Sequence, residues 1–256
     1  MPNNHLCYHD STIQYNRSYE NHKWRKIMKY PILLFDLDNT ILDTKANAEK
    51  ALHKMSPLID FPFDPEQIKY WHVLNDQLWE EFEQKKLTRS DLLVKRFKLY
   101  FEHFNREVDG EKFNHTYLNL FKMQDVLMPH AQSALEQLSH NHRIFAVSNG
   151  TKDKQYNQLT QSHLMQYFEK LYLSEDIGYQ KPDPTFFKYV VNDLNWSKSQ
   201  MLVIGDSLTA DISGANKADL DSVWFNPKKV NNDTGYLPTF EISDLNQLVT
   251  LVDGQN

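Results

Sequence analysis

The run Pro31-Ile32-Leu33-Leu34-Phe35-Asp36-Leu37-Asp38-Asn39-Thr40 decides how the rest of this chain is read. Four consecutive apolar residues suit a short strand covered on both faces, and this one stops on a carboxylate. Four later stretches have the same form: residues 143–148, 170–174, 201–205 and 221–225. Helical stretches lie between them, at 129–138, 152–164 and 184–194. The last opens with Asp183 in a capping position and Pro184 in the first turn. Alternation of strand and helix predicts an α/β fold, a doubly wound parallel sheet with right-handed crossovers.

Residues 44–127 break that rhythm. Trp71, Leu74, Leu78 and Phe82 recur at three- and four-residue steps, as do Leu93, Phe97, Tyr100, Phe101 and Phe104. Thr88 with Asp91 has the form of a capping box, and Asp64-Pro65-Glu66 is another helix start. An all-helical insert of about four helices is therefore expected between the first strand and the rest of the core. The expected domains are a polar extension at 1–27, an α/β core from 28–43 and 128–256, and a helical cap at 44–127. Met28 is a candidate initiator, because Trp24-Arg25-Lys26 can be encoded with a bacterial ribosome-binding GGAGG just upstream of it.

Composition narrows the function. The 256 residues hold 28 basic and 34 acidic side chains, a net charge of −6, which argues against nucleic acid as a partner. No apolar run approaches the ~18 residues of a membrane span, so no membrane partner is expected, and residues 1–27 lack the apolar centre of a signal peptide. Cys7 is the one cysteine, and it lies outside the expected folded region. That excludes a disulfide framework and a cysteine nucleophile, and it points to a reducing, cytoplasmic compartment. The usual glycine-rich dinucleotide and P-loop signatures do not occur.

In open α/β sheets, ligands bind beyond the carboxyl ends of the strands. Asp36 and Asp38 follow the first strand, Ser148-Asn149-Gly150 the second, Lys181 the third after a short loop, and Gly205-Asp206-Ser207 the fourth, with Asp211 beyond. Asp36 and Asp38 are two apart, so on extended chain they share one mouth. Clustered carboxylates hold a proton to unusually high pH unless a cation lies among them, and oxygen ligands suit Mg²⁺. Asp206 and Asp211 can both reach the site only with Asp206 in the loop and Asp211 in the following turn. Each residue alone has an ordinary reading, as loop carboxylate, turn former, helix cap or surface charge.

Asp36-Leu37-Asp38-Asn39-Thr40, Ser148-Asn149-Gly150, Lys181-Pro182-Asp183-Pro184 and Gly205-Asp206-Ser207-Leu208-Thr209-Ala210-Asp211 together resemble, in order, the four motifs of the haloacid dehalogenase-like hydrolase superfamily. The insert resembles that superfamily's cap in its first insertion position. The resemblance implies Asp36 as nucleophile forming an aspartyl-phosphate, and Asp38 as acid and then base. The second aspartate marks phosphatases, since true dehalogenases lack it. Mg²⁺ would be held by Asp36, the backbone carbonyl of Asp38 and Asp206. Asp211 would hold the metal's water shell or orient Lys181. Ser148 and the Asn149 amide would bind phosphoryl oxygens, and Lys181 would neutralise developing charge.

Thirteen aromatic residues fall within 53–125. Most are expected in the cap core, with Trp79 and Phe82 as candidates to stack on a nucleobase and Arg96 or Arg89 to meet a substrate anion. His130, where many relatives carry glycine, is a further candidate near the site. Finer similarity, in Leu78-Trp79-Glu80-Glu81-Phe82, Arg96-Phe97, residues 174–182 and Val223-Trp224-Phe225-Asn226-Pro227, is to a bacterial subgroup of 5′-nucleotidases. These act on nucleoside monophosphates, including pyrimidine and non-standard ones, so the expected partner is a small phosphorylated metabolite. A sugar-phosphate or phosphoglycolate phosphatase, a phosphomutase, a receiver-type signalling domain and a non-catalytic phosphate-binding protein remain as alternatives.

Overall fold

The computed structural model describes residues 29–253. The extension 1–27, with Cys7, and the candidate initiator Met28 lie outside the described residues. Six parallel strands form one sheet in the order β3-β2-β1-β4-β5-β6. They are β1 (Ile32–Phe35), β2 (Arg143–Ser148), β3 (Lys170–Leu173), β4 (Met201–Gly205), β5 (Asp221–Phe225) and β6 (Phe240–Ile242). β1 is central, pairing with β2 on one side and β4 on the other.

The continuous apolar runs follow from burial on both faces. Along β1, Leu33 and Phe35 enter one core layer, and Ile32 and Leu34 enter the other. The first layer is closed by α5 (Ala131–Ser139), α6 (Lys152–Gln161) and α10 (Leu245–Asp253), through residues such as Leu135, Leu159 and Leu248. The second is closed by α8 (Pro184–Leu194) and α9 (Ser213–Lys217), through Phe186, Phe187, Val190 and Ala215. Helices on both faces make the sheet doubly wound.

The elements differ from the expected ones at their edges. Ser174 does not end β3 but begins α7 (Ser174–Ile177). α5 starts at Ala131, because His130 takes a left-handed backbone (φ 64°) that a helix cannot include. β6 and α10 escaped the sequence reading. β6 is a three-residue edge strand, too short for a period to register.

The insert is helical, as expected, with α1 (Thr44–Ile59), α2 (Pro65–Glu83), α3 (Arg89–His103) and α4 (Gly110–Phe121). α2 and α3 each begin with a complete capping box, on Asp64 with Gln67 and on Thr88 with Asp91. Trp71, Phe97, Tyr100, Phe101 and Tyr117 interlock at the centre of this cap. Its entering and leaving chains run side by side: the Asp43 N–H donates to the Val126 carbonyl (3.0 Å) and the Met128 N–H to the Ile41 carbonyl (2.9 Å). The chain thus passes between core and cap through a narrow paired crossing, a few residues past Asp36. Among the described residues no helix is long and apolar enough to cross a membrane.

Candidate active site

The carboxyl ends of β1, β2 and β4 converge on one ammonium group. Lys181 Nζ, almost fully buried, donates to Asp36 Oδ1 (2.7 Å), Asp211 Oδ1 (2.6 Å) and the Val147 carbonyl (2.7 Å). The backbone of Lys181 is itself clamped. Its N–H donates to Asn149 Oδ1 (2.9 Å), and Asn149 Nδ2 donates to its carbonyl (2.8 Å). Asp206 leaves β4 in the loop, and Asp211 follows in a single π-helical turn over Leu208–Ile212. That turn packs so tightly that a Cβ on Gly205 would lie 2.2 Å from Asp211 Oδ2, so only glycine fits at the strand end. Asp36, Asp206 and Asp211 can each bring a carboxylate oxygen within 4.8 Å of the others.

Three carboxylates around one ammonium leave an excess of buried negative charge. Burial, with Asp211 and Asp38 nearby, pushes the Asp36 carboxyl up to about 7 against the pull of Lys181. Burial, with Asp36 and Asp211 nearby, raises Asp206 well above the ordinary range. Burial alone would lower Lys181, but Asp211 and Asp36 hold it above its ordinary value. An all-oxygen donor set that lacks positive charge is suited to a hard divalent cation.

Asp38 is in a different environment. Its carboxylate accepts from Thr44 Oγ1 (2.7 Å), Gln155 Nε2 (2.6 Å) and the Lys154 ammonium. Burial would raise it, but Lys154 and these hydrogen bonds hold it below the ordinary carboxylate range. Gln155 also donates to Ser148 Oγ (2.8 Å), which receives the Gly150 N–H (2.9 Å). Thr44, Lys154 and Gln155 were not anticipated. Lys154 and Gln155 sit in the first turn of the helix after Ser148-Asn149-Gly150, where a helix N-terminus faces the strand ends. Both are buried polar residues in a turn that reads as a solvated surface.

The family pattern of the haloacid dehalogenase-like hydrolases matches residues 33–225. This chain belongs to that family. It is 34% identical to the pyrimidine 5′-nucleotidase PynA of Streptococcus pneumoniae, over 88% of this chain and 96% of the relative. It is 25% identical to a glyceraldehyde 3-phosphate phosphatase of Pyrococcus abyssi, over 88% of this chain and 94% of that one. The solved structure of the HAD-hydrolase YfnB of Bacillus subtilis, bound to magnesium and described as showing interdomain movement, superposes with a TM-score of 0.84. It is 33% identical and covers 88% of this chain and 99% of its own. A parallel Rossmann-like core with an inserted helical cap, carrying an aspartate cluster of this kind, is the architecture of a phosphohydrolase of the haloacid dehalogenase-like family.

In this haloacid dehalogenase-like chain the cap closes over the strand ends and leaves a cavity of about 420 Å³, within the ~300–1,000 Å³ of small-molecule sites. Asp36, Asp38, Ser148, Asn149, Lys181, Asp206 and Asp211 line it from the core. From the cap come stripes at helical spacing: His72, Asn75, Trp79 and Glu83 on α2, and Arg89, Leu93 and Arg96 on α3. Trp79 and Arg96, named from the sequence, do line the cavity. Phe82 does not. It is buried in the cap core on the Trp71, Leu74, Leu78 stripe, so its own periodicity already assigned it there. Arg89 donates to the Asn149 carbonyl and faces Glu175 at 3.5 Å. Glu83, another unanticipated group, accepts from Thr209 Oγ1 across the cleft, and burial pushes it up to about 6. His130 points elsewhere, to Asp244 (2.9 Å).

Proposed function

We propose that this chain is a Mg²⁺-dependent 5′-nucleotidase that hydrolyses nucleoside monophosphates, pyrimidine or non-standard, through an aspartyl-phosphate on Asp36. The observation that carries the reading is a cavity lined from the core by the carboxylate cluster and Lys181 and from the cap by aromatic and donor groups. The identity to a pyrimidine 5′-nucleotidase supports the substrate class.

Asp36, Asp206 and the backbone carbonyl of Asp38 would hold Mg²⁺, which supplies charge neutralisation between an anionic nucleophile and an anionic phosphate. Ser148 Oγ and the Asn149 N–H bind phosphoryl oxygens and aim phosphorus at Asp36. A carboxylate oxygen of Asp36 forms the new P–O bond as the ester P–O bond breaks, and Asp38 gives its proton to the leaving nucleoside oxygen. Asp38 then takes a proton from water, which attacks phosphorus and releases phosphate with Asp36 restored. Lys154 favours the ionised Asp38 of this second half. An entering phosphate offers Lys154 another partner and leaves Asp38 free to carry the proton needed in the first half. Asp211 orients Lys181, which balances charge on Asp36 throughout.

The test is phosphate release from a panel of nucleoside monophosphates, sugar phosphates and p-nitrophenyl phosphate, with Mg²⁺ and with excess EDTA. The reading expects turnover of p-nitrophenyl phosphate and at least one nucleotide, and loss of both under chelation. Preference for sugar phosphates over every nucleotide would move the assignment to the sugar-phosphate phosphatases.

A further inference from the structure

The cap end of the cavity holds a cation without an anion. Arg96 is 3% exposed, and among the described residues no carboxylate pairs with it. Its Nε and Nη2 both donate to Asn114 Oδ1 (3.1 and 2.6 Å), and Nη1 lies 3.5 Å from Asn75 Oδ1. The faces of Trp71, Phe97 and Tyr117 surround the guanidinium, 4.9–5.6 Å from its carbon. A guanidinium carries five N–H groups, so this fork is not filled. Tyr117 is 2% exposed, and its hydroxyl has no hydrogen-bond partner among the described residues. The amide nitrogen of Asn75, whose oxygen faces Arg96, has none either. Arg96, Tyr117 and Asn75 all line the cavity. Burying a charge without a counter-ion is costly, and a ligand that reaches Arg96 and the Tyr117 hydroxyl from the cavity would relieve it.

Resting on the nucleotidase reading, we infer that Arg96, Tyr117 and Asn75 form the subsite that reads the substrate's base by its carbonyl oxygens. Arg96 and the Asn75 amide nitrogen have only N–H to offer and so suit acceptors, while the Tyr117 hydroxyl can donate or accept. A uracil-type base offers carbonyl oxygens at both of its outer positions. Cytosine replaces one of them with an amino group, which at Arg96 or Asn75 would set donor against donor and leave both unsatisfied. Trp79 lies one helical turn beyond Asn75 on the same stripe of α2 and supplies a ring for the base plane. The phosphate is assigned to Ser148, Asn149 and Lys181 of the core, which leaves Arg96, on cap helix α3, for the base. This subsite selects among nucleotides and takes no part in bond breaking.

The readout is the ratio of kcat/KM for UMP to that for CMP, which a general loss of activity does not move. The wild-type protein should favour UMP by roughly ten-fold or more. Tyr117→Phe removes only a hydroxyl that no described protein group holds, so it should melt with the wild type and narrow the ratio several-fold through KM. Arg96→Met should collapse the ratio towards one. If Arg96→Met does not fold, Asn75→Ala, which removes a donor-only amide from the cavity wall, decides in its place. A wild-type ratio near one, or a ratio unchanged in a folded Arg96→Met or Asn75→Ala, overturns the base-reading assignment while leaving the nucleotidase standing. Turnover of p-nitrophenyl phosphate with neither nucleotide hydrolysed overturns both.

Discussion

Lys181 is the one ammonium shared by Asp36 and Asp211, so Lys181→Met tests the electrostatic account of the site most directly. The substitution keeps the length of the side chain and removes its charge and three hydrogen bonds. Removing one partner of a buried ion pair costs about 3–5 kcal/mol, because the remaining charge stays desolvated. For a chain of this size each kcal/mol lowers Tm by about 2–4 °C, so the metal-free variant should melt about 6–20 °C below wild type. The pH dependence has a definite sign. The Lys181 pKa is raised in the fold, so its contribution is complete below its unfolded value and is undiminished at neutral pH. In the variant, Asp36, already at about 7, loses the ammonium that restrained it and rises further. A carboxyl with a raised pKa destabilises the fold above its unfolded pKa and is relieved by protonation. The deficit should therefore be large at pH 8 and shrink towards pH 5.5. Saturating Mg²⁺, at about 100 times its Kd, should return about 2.7 kcal/mol to either protein. Thermal melts by circular dichroism in EDTA at both pH values, then with Mg²⁺, measure all of this. A Tm within 2 °C of wild type at pH 8, or a deficit that grows on acidification, would refute the reasoning.

Asp36→Asn should fold normally and lose at least ~10³ in turnover, since no other group can carry the covalent phosphate; near-normal turnover would place the nucleophile elsewhere. Mg²⁺ affinity should climb as pH rises through about 7, because the proton held by Asp36 competes with the metal below that value. Calorimetry in two buffers of different ionisation enthalpy should then show proton release, and an affinity flat from pH 6 to 8 would contradict it. Trp79→Ala should raise KM for nucleotides relative to that for p-nitrophenyl phosphate by roughly five- to 150-fold, the worth of one stacked base. Phe82→Ala should instead cost about 3–5 kcal/mol of core packing, and so lower Tm by about 6–20 °C, without changing that ratio. A Trp79 variant that only melts early would return Trp79 to the cap core.

The strands and the residues at their carboxyl ends were legible because both signals are local. A buried parallel strand is a short apolar run, and the polar residue that ends it must stand where the sheet opens to a ligand. Asp36, Ser148, Lys181 and Asp206 could be named on that basis although up to 145 residues separate Lys181 from Asp36. The helices of the cap were legible for the same reason, through period and capping boxes. Which face of each cap helix meets the core was not fully legible, since both faces of α2 carry large aromatic residues. Trp79 and Phe82 are three residues apart, yet one lines the cavity and the other packs beneath it. Lys154 and Gln155 reach Asp38 across more than a hundred residues. Arg96 is surrounded by aromatic faces supplied by two different helices. Contacts of this kind leave no periodic trace, because a polar side chain aimed into a cavity and one aimed into water read alike until the helices are packed.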